Sequence, residues 1–318
     1  MLKGVLLGLV AVGAIGIESR AHATGDVFNL KKPAYLESGS EWEFARKSDG
    51  TIWRRQVQAP GSWSSVGKPA PATGATSGPE YGKMRTASNQ ISHWIIVTAS
   101  DGIYGLFGGQ GTSWTKLAAL PPGGITSGPG VSFSTENQSL HVFVRGAGNI
   151  PQMGSFTAAS SGSGLVFNGW TQVGTMAIDS APGAAETSWR IDVFGLIGEN
   201  VVQTTCQYPS CFGSWNLSPL GATRESPSAY WMPGTTNDGP WLAVSVRGLD
   251  NAAWLRKYNN YTGTWESSWS QKGTGPFDAA VAIGYMVNTP QQGRLSTHGG
   301  SSFFFNPGGS GFSNIGSP

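Results

Sequence analysis

Ser48-Asp49-Gly50-Thr51-Ile52-Trp53 sets an apolar residue and an aromatic directly behind a tight turn. The arrangement returns at Ile103-Tyr104, Ala253-Trp254 and Phe303-Phe304, and in weaker form at Ile150-Pro151 and Val201-Val202. The second members are residues 53, 104, 151, 202, 254 and 304. Their spacing, about fifty residues, points to a propeller or a solenoid. The turns ahead of the pairs are Asp49-Gly50, Asp101-Gly102, Gly148-Asn149, Glu199-Asn200, Asp250-Asn251 and Gly299-Gly300. Such pairs suit tight hairpins because the central residues take positive φ.

Two further markers count the same repeats. Each opens on a proline (Pro33, Pro79, Pro129, Pro182, Pro227, Pro276) and closes on an aromatic followed by a glycine or alanine, as in Trp63 to Gly67, Trp114 to Ala118 and Trp170 to Gly174. Three openings read alike: Thr76-Ser77-Gly78-Pro79, Thr126-Ser127-Gly128-Pro129 and Asp179-Ser180-Ala181-Pro182. The repeats run over about 33–67, 79–118, 129–174, 182–221, 227–273 and 276–316. Each divides into four strands around its hairpin. Consecutive apolar residues such as Trp94-Ile95-Ile96-Val97 require a sheet buried on both faces, as a propeller blade is between its neighbours. The expected fold is all-β: a six-bladed β-propeller of four-stranded antiparallel blades, forming one domain over 24–318. The closing tryptophan is expected to wedge between adjacent blades. Residues 24–31, with Val27-Phe28-Asn29-Leu30, are expected to extend the last blade beside Phe312.

Composition agrees with many short strands joined by turns. Gly accounts for 47 of 318 residues and charged residues for only 12%, while 13 Trp rule out a disordered composition. Residues 1–23 read as a secretory signal cleaved after Ala23: Lys3, then the apolar run Gly4–Ile17, then Ala21-His22-Ala23. Without Lys3, Arg20 and Glu18, the chain's 20 basic and 18 acidic residues fall to 18 and 17. With no basic stripe, nucleic acid is not an expected partner, and no later segment is apolar enough to insert in a membrane. In a secreted chain Cys206 and Cys211 are expected to form a local disulfide. His93, His141 and His298 lack metal-ligand spacing, so neither a metal nor another cofactor is expected.

Residues 245–254 read Ser-Val-Arg-Gly-Leu-Asp-Asn-Ala-Ala-Trp, and residues 141–146 read His-Val-Phe-Val-Arg-Gly. With the Thr-Ser-Gly-Pro openings, this wording resembles the PLL-type bacterial propeller lectins, which bind fucose and other sugars in pockets between blades. That family is typically seven-bladed. The six-bladed fungal fucose lectins match the count with less of the wording. The resemblance implies a secreted, multivalent lectin for fucose-like or other glycans on cell surfaces or glycoproteins, with homo-oligomerisation left open.

A sugar site needs an aromatic plate for the apolar ring face and planar polar groups for the hydroxyls. Trp53, Tyr104, Trp254 and Phe304 are the candidate plates, and Arg145, Arg247 and Asp250 the candidate hydrogen-bonding groups. The competing reading makes the aromatics inter-blade core and the arginines solvated. Aromatics stand in repeats one, two, five and six and are lost in three and four, so unequal sites are expected. A glycosidase or lactonase at the central channel is the enzymatic alternative. Glycoside hydrolysis needs paired carboxylates, and Glu80, Asp179, Glu186, Glu225 and Asp278 do not recur at matching positions. The expectation is therefore no enzyme. A non-catalytic protein-interaction scaffold is the third reading.

Overall fold

The computed structural model describes residues 34–35, 41–56, 63–70, 73–108, 111–134, 136–160, 164–208, 210–211, 215, 223, 226–232, 240–273, 281–283, 293–296, 302–305 and 312–316. Its strands form six antiparallel sheets in chain order, a β-propeller. The first sheet holds β1 (Ala34–Tyr35), β2 (Glu41–Arg46), β3 (Ile52–Gln56) and β4 (Ser64–Gly67); the second β5 (Glu80–Arg85), β6 (Ile91–Ala99), β7 (Gly102–Phe107) and β8 (Trp114–Ala119). The third holds β9 (Gly130–Ser134), β10 (Ser139–Arg145), β11 (Pro151–Ala158) and β12 (Leu165–Gln172); the fourth β13 (Gly183–Glu186), β14 (Arg190–Ile197) and β15 (Asn200–Gln207). The fifth holds β16 (Ser228–Met232), β17 (Trp241–Arg247), β18 (Ala253–Asn259), β19 (Thr264–Trp265) and β20 (Ser270–Gly273); the sixth β21 (Val281–Ile283), β22 (Gly293–Ser296), β23 (Ser302–Phe305) and β24 (Phe312–Gly316).

Among the described residues five of the six sheets are complete blades of four or more strands, which corrects the expectation of six. In the fourth repeat the chain leaves β15 through the Cys206–Cys211 disulfide. Of its expected closing segment, Trp215 is described and 216–221 lie outside the described residues. The signal segment 1–23, the piece 24–31 and the openings Pro33 and Pro276 also lie outside them.

Each of the four seams from the first sheet to the fifth is a core. Phe44, Ile52 and Val66 of the first sheet pack with Tyr81, Ile95, Val97 and Leu106 of the second. Trp94, Ile96 and Ile103 turn the other way, onto Val131, Leu140 and Val142 of the third. Alternate residues of β6 therefore serve opposite seams, which is why Trp94 to Val97 is apolar without a break. The pattern continues with Phe143 and Met153 against Ile191 and Val193, and with Phe194 and Leu196 against Leu242 and Val244. Burying a side chain of this size contributes about 1.5–3 kcal/mol.

The opening motif ties connector to strand. Ser77, Ser127 and Ser180 accept from the backbone N–H groups of Thr98, Arg145 and Leu196 at 3.0, 2.9 and 3.1 Å. At three openings the residue four before the proline donates its N–H to the preceding blade's hairpin: Ala75 to Gly50, Ile178 to Asn149 and Thr223 to Glu199. Pro79, Pro129, Pro182 and Pro227 are buried at the entry to the innermost strands, where no donor is needed. Those strands then stack side by side, β5 on β9, β9 on β13, β13 on β16 and β16 on β21. The approach is close enough that a Cβ on Gly130 would stand 2.1 Å from the Pro182 carbonyl oxygen.

Three of the closing tryptophans wedge between blades. Trp114 donates its indole N–H to Val66 O at 2.8 Å, Trp170 to Ala119 O at 3.0 Å and Trp215 to Val173 O at 3.2 Å. Each donation runs to the outer edge of the preceding blade.

Candidate functional site

The blades present two ends. One carries the turns between second and third strands together with the blade connectors. The other carries the remaining hairpins. The aromatics singled out from the sequence lie at the first end, and pairing fixes their equivalence. Arg46 faces Ile52, Thr98 faces Ile103, Arg145 faces Pro151, Leu196 faces Val201 and Arg247 faces Ala253. The following residues, Trp53, Tyr104, Gln152, Val202 and Trp254, are therefore equivalent. Repeat three aligns on Gln152, one residue beyond the Ile150-Pro151 pair, because Ile150 belongs to the turn.

These aromatics are held by their own hairpins. Tyr104 is buried and donates its hydroxyl to Asp101 Oδ2 at 3.0 Å. Burial, and then the Asp101 bond, raise its pKa. The same carboxylate oxygen accepts from Lys116 Nζ at 2.7 Å, the main reason its pKa is lowered. Trp254 donates its indole N–H to Asp250 at 3.0 and 3.3 Å. Ring and carboxylate lie over the backbone of Gly248, where a Cβ would meet both Asp250 Oδ1 and Trp254 Nε1 at 2.6 Å. That contact explains the Arg247-Gly248 wording. The half-buried Trp53 has the Lys47 ammonium 3.9 Å from its ring centroid.

Arg145 bridges the seam between the third and fourth blades. It donates to Thr126 Oγ1 at 3.0 Å, Thr126 O at 3.0 Å and Asp179 O at 2.6 Å. Its donors thus serve the connectors of its own blade and the next, and burial lowers its pKa. Arg46, at the same register position, donates Nε to Ala75 O at 2.6 Å. Arg247 O accepts from Thr223 Oγ1. Phe304 lies on β23 opposite Arg294 and Ser313. The structure therefore joins Trp254, Asp250 and Gly248 in one hairpin. It keeps Trp53, Tyr104 and Arg145 on separate blades.

A cluster the sequence did not single out lies between the fourth and fifth blades. Arg190 and Asp192 alternate on β14, so both point to one face. Arg190 reaches Asp192 Oδ1 through Nε at 3.0 Å and Nη2 at 2.7 Å. Gln203 Nε2 and Thr205 Oγ1 of β15 donate to the same oxygen at 2.8 and 2.9 Å. Burial opposes the Arg190 charge, but the Asp192 carboxylate outweighs it and the pKa is raised. From the fifth blade, Tyr258 lies 4.6 Å and Trp231 5.6 Å from the guanidinium carbon, measured to ring centroids. Trp265 packs against Tyr258 at 5.4 Å. Asp192 is fully buried, and its Oδ2 has no hydrogen-bond partner. Thr205 is exposed, while Gln203, Trp231 and Tyr258 are half-buried, so the cluster reaches the surface. Six residues before the equivalent strand-two position, other blades carry Ser92, Ser139 and Trp241 where the fourth has Arg190. The Arg-x-Asp spacing on one strand face was the signal available in the sequence.

Of the channel carboxylates, Glu186 is buried in the seam between the third and fourth blades. It accepts from Ser132 and Ser139, both at 2.9 Å, and contacts His141 Nδ1 at 2.7 Å. Glu80 is buried, and Asp179 accepts from Gly198 N at 2.7 Å. Glu225 and Asp278 lie outside the described residues. Among the described residues no group of three metal-ligating side chains occurs, and no helix is long and apolar enough to cross a membrane.

No family model matches the chain, and no curated protein matches it by sequence. Solved structures do match. AofleA from Arthrobotrys oligospora superposes with a TM-score of 0.60 at 12% identity, over 91% of this chain and 86% of that one. Aleuria aurantia lectin in complex with Fucα1-6GlcNAc gives 0.59 at 13% identity, over 90% and 99%. BP39L lectin from Burkholderia pseudomallei gives 0.60 at 15% identity, over 92% and 84%. TolB from Acinetobacter baumannii also matches, at 0.55 and 11% identity over 86% of this chain and 62% of that one. At such identities the likeness establishes a shared propeller fold, and a fold alone does not fix function.

Proposed function

We propose that the protein is a non-enzymatic lectin whose principal sugar contact is the seam between the fourth and fifth blades. The observation that carries this reading is the Arg190 guanidinium, oriented by Asp192 and stacked near Tyr258 and Trp231. An arginine fixed in this way offers planar donors to vicinal hydroxyls. The two rings offer an apolar plate for a C–H face, and Gln203 adds an amide. Asp192 Oδ2 is an acceptor for a sugar hydroxyl that reaches under the rings. Fucose, with an apolar methyl and adjacent hydroxyls, has the chemistry the seam complements. The Aleuria aurantia lectin and SapL1 structures, solved with fucosides, support that choice of class.

Trp254 with Asp250 is a second, weaker contact in this reading. Its carboxylate is exposed and keeps acceptor capacity beyond the indole and Ala252 N–H groups. The N-terminal segment 1–23 and the disulfide together support an exported protein. The test is a titration of the mature protein with methyl α-L-fucoside, followed by tryptophan fluorescence. Arg190→Met and Tyr258→Ala are expected to abolish a saturable change that Trp53→Ala leaves intact. Unaltered binding in both seam variants would move the site elsewhere. Absence of binding to any glycan on an array would end the lectin reading.

A further inference from the structure

Three rings meet at the propeller axis. Phe133 of the third blade stands 6.2 Å from Tyr230 of the fifth, edge to face, although a whole blade separates them in the ring. Tyr81 of the second blade packs its edge on Phe133 at 5.9 Å. All three residues lie on innermost strands, β9, β16 and β5. At this level the channel is therefore an aromatic constriction. Lys83, two residues beyond Tyr81 on β5, brings its ammonium to 5.5 Å from the Phe133 centroid.

No carboxylate among the described residues pairs with Lys83; the ion pairs there join Lys116 to Asp101, His141 to Glu186 and Arg190 to Asp192. Its cross-strand neighbour is His93, whose Nδ1 is bound to the Tyr81 hydroxyl at 2.7 Å. Burial, and then the Lys83 charge, lower the His93 pKa to about 4, so the imidazole is neutral at pH 7. The buried acid of the next seam, Glu186, is occupied by Ser132, Ser139 and His141. Burial lowers the Lys83 pKa with no charge partner to oppose it. Among the described residues this partly buried ammonium is faced by a ring, a neutral imidazole and a phenol, and is electrostatically incomplete. The ring quadrupole compensates only weakly.

We propose that this end of the channel binds a small monocarboxylate with a flat apolar body, its carboxylate on Lys83 and its body against Phe133 and Tyr230. One ammonium with no arginine fork beside it matches a single charge of low density better than a phosphate, which takes several donors. The rings set the shape of the rest. The site is separate from the Arg190 seam and does not depend on the sugar reading.

Benzoate is the probe and benzyl alcohol its neutral counterpart, each titrated calorimetrically into the mature protein. Benzoate is expected to bind saturably and benzyl alcohol at least about tenfold more weakly. Lys83→Met should weaken benzoate at least about tenfold, while Lys83→Arg keeps it within a few-fold. A thermal melt and the fucoside titration of Lys83→Met check that the blade is intact. If that variant does not fold, benzoate protection of Lys83 from amine acylation, read by peptide mass mapping of the wild type, takes its place. Three results would overturn the proposal: no benzoate binding at about 10 mM, equal binding of both probes, or equal acylation with and without benzoate.

Discussion

Lowering the pH from 6.5 to 4 should destabilise this propeller through His93. The imidazole is buried, faces Lys83 across β5 and β6, and holds the Tyr81 hydroxyl at 2.7 Å. Its pKa falls from 6.5 to about 4, by burial first and the Lys83 charge second. The folded state therefore binds this proton less well than the unfolded state does. Stability is unaffected above pH 6.5, declines as pH falls below it, and has lost the full increment below about pH 4. At about 1.4 kcal/mol per unit, the increment is about 3 kcal/mol, a large share of a domain's usual 5–15 kcal/mol. The assay is urea unfolding of wild type and His93→Gln at half-unit steps from pH 7.5 to 4. Other titrating groups are common to both proteins and cancel in the difference. The wild type should lose about 3 kcal/mol more than the variant. Parallel pH profiles would refute the reasoning. Lys83→Met should recover less than half of the increment, because its charge is the smaller cause.

The seams offer two further tests. Trp170→Phe keeps a ring but deletes the N–H donated to Ala119 O, and should cost about 1 kcal/mol in a denaturant melt; Trp170→Ala should cost about 3–5 kcal/mol. Ser180→Ala leaves the buried Leu196 N–H without its acceptor, and should cost about 1–3 kcal/mol by the same measurement.

Much of the fold was legible because its signals are local. Asp49-Gly50 and Asp101 mark hairpins through backbone conformation, and the Pro openings mark strand entries through a missing donor. The run Trp94 to Val97 announced burial on both faces, which the seams bear out. The third repeat was placed one residue out of register because Ile150 has the apolarity of a strand residue but sits in the turn. The candidate site was less legible. Arg190 and Asp192 look like ordinary strand residues until Trp231 and Tyr258 arrive from the next blade, and no local rule carries that contact. Tyr104 and Trp254 stood out as aromatics behind turns. Their attachment to Asp101 and Asp250 depends on side-chain rotamers that sequence spacing does not report.

Trp114, Trp170 and Trp215 each donate to a backbone carbonyl of the blade before, and a carbonyl is present whatever side chain stands there. Together with the connector N–H groups of Ala75 and Ile178 that reach the preceding hairpin, this makes the first–second and third–fourth seams joints of the same kind. A duplicated repeat would bring its own indole and find its own acceptor. Blades joined in this way can therefore drift in their other residues while the joint is kept. Propellers assembled with such joints can gain or lose a unit without redesigning its neighbours.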